Sequence, residues 1–262
     1  MNGETVLLLR LAGPLQSWGD RSVFNRRETR PEPTKSGVLG LLAAAQGRPR
    51  TQSPADLAQL RFGVRVDQPG TLLRDYHTVS DYRGIPLRQT GVNARGQQKP
   101  TSPVKTTQIT HRYYLQDAVF VAAVAGPAPL LTALADAVRR PAYPLSLGRR
   151  SCPPTQPIVL AVDEGELEEA LTACPWQAGD HTRDRLQNRH DGTLPPHVDL
   201  PATFDDSEGT DVAQDVPLSF APGDRHFATR RIRHTWLSVP TGVSDDAPTS
   251  TTPHDPFALL GW

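Results

Sequence analysis

From Thr5 the chain runs "TVLLLRL", an apolar stretch of strand length broken only by Arg10, and it reads as a buried first strand. "AGPLQSWG" ends it, with Gly13, Pro14 and Gly19 shaping a turn around Trp18. The polar, arginine-rich loop "RSVFNRRETRPEP" follows, and then "TKSGVLGLLAAAQG" takes up helical spacing. Thr34 is the expected N-cap, Val38, Leu41, Leu42 and Ala45 the apolar face, and Gly47 the C-cap. Gly37 and Gly40 lower the propensity of that helix, which predicts a close approach of some other group to its backbone. A short helix is predicted over residues 54–60. "RFGVRVDQPG" and "TLLRDYHTV" read as two strands of a hairpin around Gln68, Pro69 and Gly70. Residues 81–107 show no apolar periodicity, and an excursion of that length within a domain is a functional or disordered segment. "TQITHRYYL" and "DAVFVAAVAG" resume strand character, "PLLTALADAVRR" is an amphipathic helix, and "PIVLAVD" is a further strand. "GELEEALTAC" is a short helix, the acidic stretch after it reads as loops, and "RHFATRRIRHTWLSV" has strand composition. The order of elements predicts an α+β fold: a ferredoxin-like domain over residues 1–154 with a long projecting β-hairpin, and a β-rich, loop-rich part over residues 155–262 packed on the same sheet. A sheet of this kind is a common platform for RNA.

Composition narrows the function classes. The 262 residues suffice for a real core, and 26 prolines with 20 glycines predict many turns. Two cysteines, Cys152 and Cys174, are too few for a disulfide framework, so a reducing cytoplasm is the expected compartment. No charged region precedes the first apolar run, which therefore reads as a strand and not a signal peptide. No apolar run of membrane-spanning length occurs, so no membrane partner is expected. Lys and Arg (28) balance Asp and Glu (28), yet the distribution is uneven. Residues 74–112 carry seven Lys or Arg against two Asp, and residues 162–216 carry fourteen acidic residues against three arginines. A basic surface calls for an anion.

Four constellations carry candidate chemistry. In "LAGPLQSWG", Gln16 and Ser17 offer hydrogen bonds to a nucleotide and Trp18 a stacking face, the alternative being that Trp18 packs under the turn. In "PTKSGVLG", Lys35 and Ser36 occupy the first helical turn, where free amides favour phosphate; the alternative is an ordinary capped helix with a solvated lysine. In the excursion and its flanks, His77, Arg83, Arg88, Lys99, Lys105, His111, Arg112 and Tyr114 interleave cations with rings that grip phosphates and stack bases. His111 and Tyr113 share one strand face, and Arg112 and Tyr114 the other. In "SLGRRSCPP", Gly148 and the prolines rule out a helix or a central strand, so Arg149 and Arg150 stand on a stiffened loop. Such a pair suits a bend in a phosphodiester chain, the alternative being salt bridges to the acidic segment. No Gly-x-Ser-x-Gly elbow, His-Glu-x-x-His or dinucleotide fingerprint occurs, so no enzyme class, cofactor or metal follows from motifs.

Taken in order, these pieces resemble the fifth Cas protein family, of the RAMP superfamily. "LLLRLAGPLQSWG" resembles its opening strand and turn, "TKSGVLGLLAAAQG" its first helix, "RDYHTV" and "THRYYLQDAVF" the strands bracketing its thumb, and "LSLGRRSCPP" its glycine-rich loop. The resemblance spans roughly residues 5–154. It implies a modified RRM-like domain with a thumb, in a non-catalytic subunit that caps one end of the type I-E Cascade surveillance complex in antiviral defence. There it holds the 5′ handle of the CRISPR RNA (crRNA), contacts the CasC backbone and the large CasA subunit, and meets target DNA only through the complex. On this reading Arg149 and Arg150 line the place where the handle hooks. The related type I-C subunit is instead a metal-independent ribonuclease of repeat RNA, using a tyrosine with an adjacent Lys-His pair. This chain departs from that pattern, since Lys105 and His111 are separated and "HRYY" offers His-Arg, with Tyr76 and His77 as possible substitutes.

Overall fold

The computed structural model describes residues 4–19, 25–80, 91–92, 98–99 and 107–242. Strand β1 (Thr5–Ala12) is buried along almost its whole length, β2 (Leu15–Gln16) follows the turn at Pro14, and β3 (Arg26–Arg27) is a short exposed strand. Helix α1 (Lys35–Ala45) begins at Thr34, whose hydroxyl accepts from the Gly37 amide as an N-cap. Val38, Leu41, Leu42 and Ala45 are buried, so the predicted apolar face is the packed one. The missing Gly37 side chain leaves room for the Trp18 ring, which a Cβ would meet at 2.8 Å. After the short α2 (Ala55–Ala58) come β4 (Arg61–Gln68) and β5 (Thr71–Ser80). The two-residue strands β6 (Gly91–Val92) and β7 (Gln98–Lys99) pair with each other, and β8 (Thr107–Gln116), β9 (Val119–Gly126) and α3 (Ala128–Arg139) follow. The remainder is β10 (Val159–Glu164), α4 (Leu167–Ala173), α5 (Asp180–Arg189), β11 (His197–Asp205), β12 (Asp211–Ser219) and β13 (His226–Pro240).

Seven strands form the main sheet in the order β10-β1-β9-β4-β11-β13-β12, all antiparallel. One face packs Leu7, Leu9, Leu11, Phe62, Val64, Phe120, Ala122 and Val124 under α1 and α3. The other packs Val6, Leu8, Val121, Ala123, Leu200, Ala202 and Phe204 under α4. Alternation along each strand thus buries both faces, which is why β1 and β9 read as unbroken apolar runs.

The expected hairpin of β4 with β5 does not form. β4 is already flanked by β9 on one side and β11 on the other, leaving no edge for β5. β5 pairs with β8 instead, through ten antiparallel positions from Thr71–Gln116 to Ser80–Thr107. The β4–β9 and β5–β8 ladders follow each other along the same two stretches of chain, with a one-residue slip after Val66. Together they make one two-stranded ribbon that leaves the main sheet at a bend. Gly70 lies at that bend with φ +69°, where a Cβ would sit 2.5 Å from the Gln116 carbonyl oxygen, and Asp117 opposite also has a positive φ of 56°. Outside the main sheet, β2 and β3 pair with the other edge of β8.

The acidic stretch is not a set of loops: it contains α5, β11 and β12. Proline conceals both strands from a sequence reading. Pro201 sits in β11, but β4 pairs only with residues Ala202 to Phe204, so its missing N–H interrupts no β4 ladder. Pro217 sits in β12, an edge strand whose register is irregular next to it.

Candidate nucleic-acid interface

The loop of residues 146–153 is fixed by its glycine. Gly148 has φ +87°, and a Cβ there would lie 1.9 Å from the Ser17 carbonyl oxygen, so only glycine fits against the β2 turn. Leu147 beside it is fully buried, its carbonyl accepting from the Ser17 amide and its amide donating to the Cys152 carbonyl. Cys152 is also buried, and that burial pushes its thiol pKa up. Arg149 donates to the carbonyls of Tyr113 at 3.1 Å, Arg27 at 2.8 Å and Glu28 at 3.4 Å, and its guanidinium lies 4.8 Å from the centre of the Tyr114 ring. It therefore staples the loop to β8 and β3. Arg150, the next residue, is exposed and has no bonding partner among the described residues.

A groove of about 630 Å³ opens beside this loop. Its walls come from the loop itself, from α1 and the segment after it, and from the turn between β12 and β13. Among the described residues, six arginines line it (Arg27, Arg48, Arg50, Arg149, Arg150 and Arg225), against Glu28 as the one acidic residue. Arg48 is neutralised by a bidentate pair with Asp56 at 2.7 and 2.6 Å. Arg50, Arg150 and Arg225 have no hydrogen-bond or ion-pair partner among the described residues. Arg225 lies over the Phe227 ring at 5.2 Å, and its pKa is lowered by desolvation first and by the charge of Arg50 second. Exposed Tyr143 and half-buried Phe220 add aromatic surface to the same groove. Unneutralised cations beside aromatic rings are what a single-stranded nucleic acid requires. A second, larger groove of about 750 Å³ lacks this character. Its Arg10 and Arg183 are engaged by Gln177 and by backbone carbonyls, and Asp117 and Asp180 stand among its lining.

The ribbon of β5 and β8 adjoins the loop. Its register sets Tyr76 opposite His111, and their rings meet edge-on at 5.4 Å. The Arg26 guanidinium lies 5.4 Å from the Tyr113 ring on the same face. The other face carries His77, Arg112 and Tyr114. The Nδ1 atoms of His77 and His111 and the Nε of Arg112 are buried without hydrogen-bond partners among the described residues. Leu72, Tyr76, Val79 and Ile109 are exposed, so the ribbon shows solvent an apolar surface as well as a basic one.

The sequence pattern of the CRISPR-associated protein family (Cas_Cas5) matches residues 6–233. The chain belongs to the Cas5 family. A curated Cas5 relative, the CRISPR system Cascade subunit CasD of Escherichia coli strain K12, is 34% identical over 240 residues, covering 80% of this chain and 100% of that protein. A chain of a solved CRISPR RNA-guided surveillance complex superposes with a TM-score of 0.69 at 36% identity, covering 90% of this chain and 91% of its own. A solved Cas protein superposes with a TM-score of 0.65 at 38% identity, covering 90% and 98%.

For this Cas5 chain, burial corrects several sequence expectations. Trp18 is 1% exposed in the core and donates its indole N–H to Gln16 Oε1, so it offers no stacking face. Gln16 is fully buried and donates to the Leu11 and Ala118 carbonyls, and buried Ser17 donates to the Tyr113 carbonyl. These three build the floor under the loop, where Ser17 and Trp18 border the groove with their side-chain polar atoms bonded within the protein. Lys35 is neither a phosphate site nor solvated: its Nζ donates to Asp205 at 2.8 Å and its amide to Asp215 at 2.7 Å. Ser36 is buried beside it, against the Thr34 hydroxyl. Arg230 completes this buried network with Asp205 and Asp215; burial alone would lower its pKa, but the bonds and charges of the two carboxylates raise it. Of the basic residues of β13, Arg230 is thereby consumed inside the protein, while Arg231 and His234 stay exposed. Tyr114 is buried beneath Arg149, while His77, His111 and Arg112 lie partly exposed on the ribbon. Arg83, Arg88 and Lys105 lie outside the described residues, and of Lys99 only the backbone is described. The sequence reading missed Arg48, Arg50, Tyr143 and Arg225 as lining of one groove. The available signal was cationic residues at turns, in "QGRPR" and "PGDRH".

Proposed function

We propose that this chain is the CasD-type subunit of a type I-E Cascade complex, holding the 5′ handle of the crRNA in the groove beside Gly148. The observation that carries this reading is the groove itself, with Arg50, Arg150 and Arg225 on three separate segments and without a partner among the described residues. A cationic groove of this kind has little to gain from a protein of mixed charge and much from successive phosphates. The strand order β10-β1-β9-β4, with α1 after β1 and α3 after β9, supports reading residues 1–164 as a ferredoxin-like, modified RRM module with β11–β13 added to its sheet. The ribbon supports the base of a thumb over about residues 81–107, and the ribbon's exposed apolar residues suit contact with neighbouring subunits, the CasC backbone and the CasA large subunit. Cascade acts in the cytoplasm against invading DNA, which this subunit meets through the complex. Purification of the tagged chain from cells carrying a type I-E array, followed by sequencing of the bound RNA, tests the reading. RNAs sharing a uniform short 5′ handle are expected; a random collection of RNA ends would overturn it.

One observation favours a metal-independent ribonuclease: the Tyr76–His111 contact on an accessible ribbon, with the His111 Nδ1 unpartnered. The non-catalytic reading is preferred because the Tyr and Lys-His pattern of the type I-C enzyme is not reproduced in the sequence. The chain is expected to leave full repeat RNA intact, with or without magnesium. Products ending in a 2′,3′-cyclic phosphate that disappear in His111→Ala would reverse that preference.

A further inference from the structure

Arg50 and Arg225 are 175 positions apart in the chain, yet both line the groove, and each is close enough for the charge of Arg50 to weigh on Arg225. Neither has a partner among the described residues, although the fold has carboxylates nearby and uses them. On the strand that follows Arg225, Arg230 is held by Asp205 and Asp215, and Arg233 by Asp206 and Glu168. Two residues before Arg50, Arg48 is held by Asp56. Within the groove, then, Arg48 is neutralised while Arg50 and Arg225 have no partner among the described residues. Two like charges brought together in a walled groove repel each other until an anion sits between them. Their surroundings are also stiff. Arg225 rests on the Phe227 ring, and Pro49 and Pro54 flank the segment that carries Arg50. Tyr143 lines the same groove with 53% of its surface exposed, next to Pro144.

We infer that Arg50 and Arg225 form a phosphate seat distinct from the Gly148 loop, and that Tyr143 stacks on the base of the adjoining nucleotide. The groove then holds a phosphate at Arg50–Arg225 and another at Arg150, with the RNA backbone curving between them. This rests on the proposed handle-binding groove and assigns its far wall. It also predicts a division of labour: the arginine pair contributes charge without regard to sequence, while Tyr143 contributes an uncharged contact.

The test is a titration of the full-length chain with a fluorescent single-stranded RNA carrying the 5′ handle, repeated over a range of salt concentrations. The double variant R50A/R225A is expected to bind about tenfold or more weakly. The slope of log affinity against log salt should fall by about 0.7, the counterion release from one phosphate of a single strand. R50K/R225K should restore the slope, which a purely structural role for the arginines would not produce. Tyr143→Ala should lower affinity at unchanged slope, and Tyr143→Phe should keep wild-type affinity. Arg150→Ala should lower the slope independently of R50A/R225A. If R50A/R225A keeps wild-type affinity and slope while Arg150→Ala loses both, the second seat is wrong and the handle groove stands. A wild-type chain that binds no handle RNA overturns the handle reading, and the seat with it.

Discussion

At the scale of single residues, the neighbouring arginines of the Gly148 loop have different work. Arg149 is bound to three backbone carbonyls and covers Tyr114, so its charge is spent on holding the loop, β3 and β8 together. Arg150 has no partner among the described residues and faces the groove. Their alanine variants should therefore separate. Arg149→Ala should lower unfolding stability by about 1–3 kcal/mol, because the partly buried Tyr113 carbonyl and the exposed carbonyls of Arg27 and Glu28 lose a charged donor. Arg150→Ala should leave the melting curve in place and weaken RNA binding. Thermal melts and RNA titrations on both variants check this, and a shift of equal size in both melts would refute the division. The structure also accounts for Gly148, since an alanine there meets the Ser17 carbonyl and must adopt a left-handed backbone.

At the scale of elements, α1 is tied to the C-terminal strands by charge and not by apolar packing alone. Asp215 on β12 accepts from the Lys35 amide at the helix start and from Arg230 on β13, while Asp205 on β11 accepts from Lys35, Arg230 and the Phe62 amide. A buried network of this kind is no guarantee of net stability, but removing one member leaves the others charged and unpaired. Asp215→Ala should cost about 3–5 kcal/mol on that account. Asp136→Ala, which removes an exposed pair with Arg139 one helical turn away, should cost less than about 0.5 kcal/mol. Urea unfolding of the two variants measures the contrast, and equal midpoints would mean that the network is not coupled to folding.

At the scale of the whole molecule, the ribbon of β5 and β8 separates what the fold needs from what a partner needs. Ser80 and Thr107 stand directly opposite each other at its described end, so a short Gly-Ser link can join them in place of residues 81–106. The residues removed show no apolar periodicity in the sequence. The shortened chain should therefore fold with an unchanged melting temperature. It should also enter the complex poorly and show a weaker salt dependence of RNA binding, because it loses Arg83, Arg88, Arg95, Lys99 and Lys105. Assembly and a salt slope equal to those of the full chain would reduce the basic excess of this region to a solvated surface.

The sequence by itself determined the elements whose signal is local. The apolar runs of β1 and β9, the capped face of α1 and the amphipathic α3 follow from side-chain periodicity and capping chemistry, both readable within a dozen residues. It also marked the Gly148 loop, because glycine and proline restrict the backbone locally. Tertiary structure decided what depends on partners distant in sequence. β5 pairs with β8 because β4 has no free edge, and β11 and β12 tolerate proline because of where their neighbours end. Trp18 and Lys35 have the composition of ligand-binding residues, and only packing shows that a ring fills the space over Gly37 and an ammonium meets Asp205. The groove is the clearest case. Whether an arginine of the groove is free depends on whether a carboxylate reaches it: Asp56 reaches Arg48, while Arg50, Arg150 and Arg225 have no partner among the described residues.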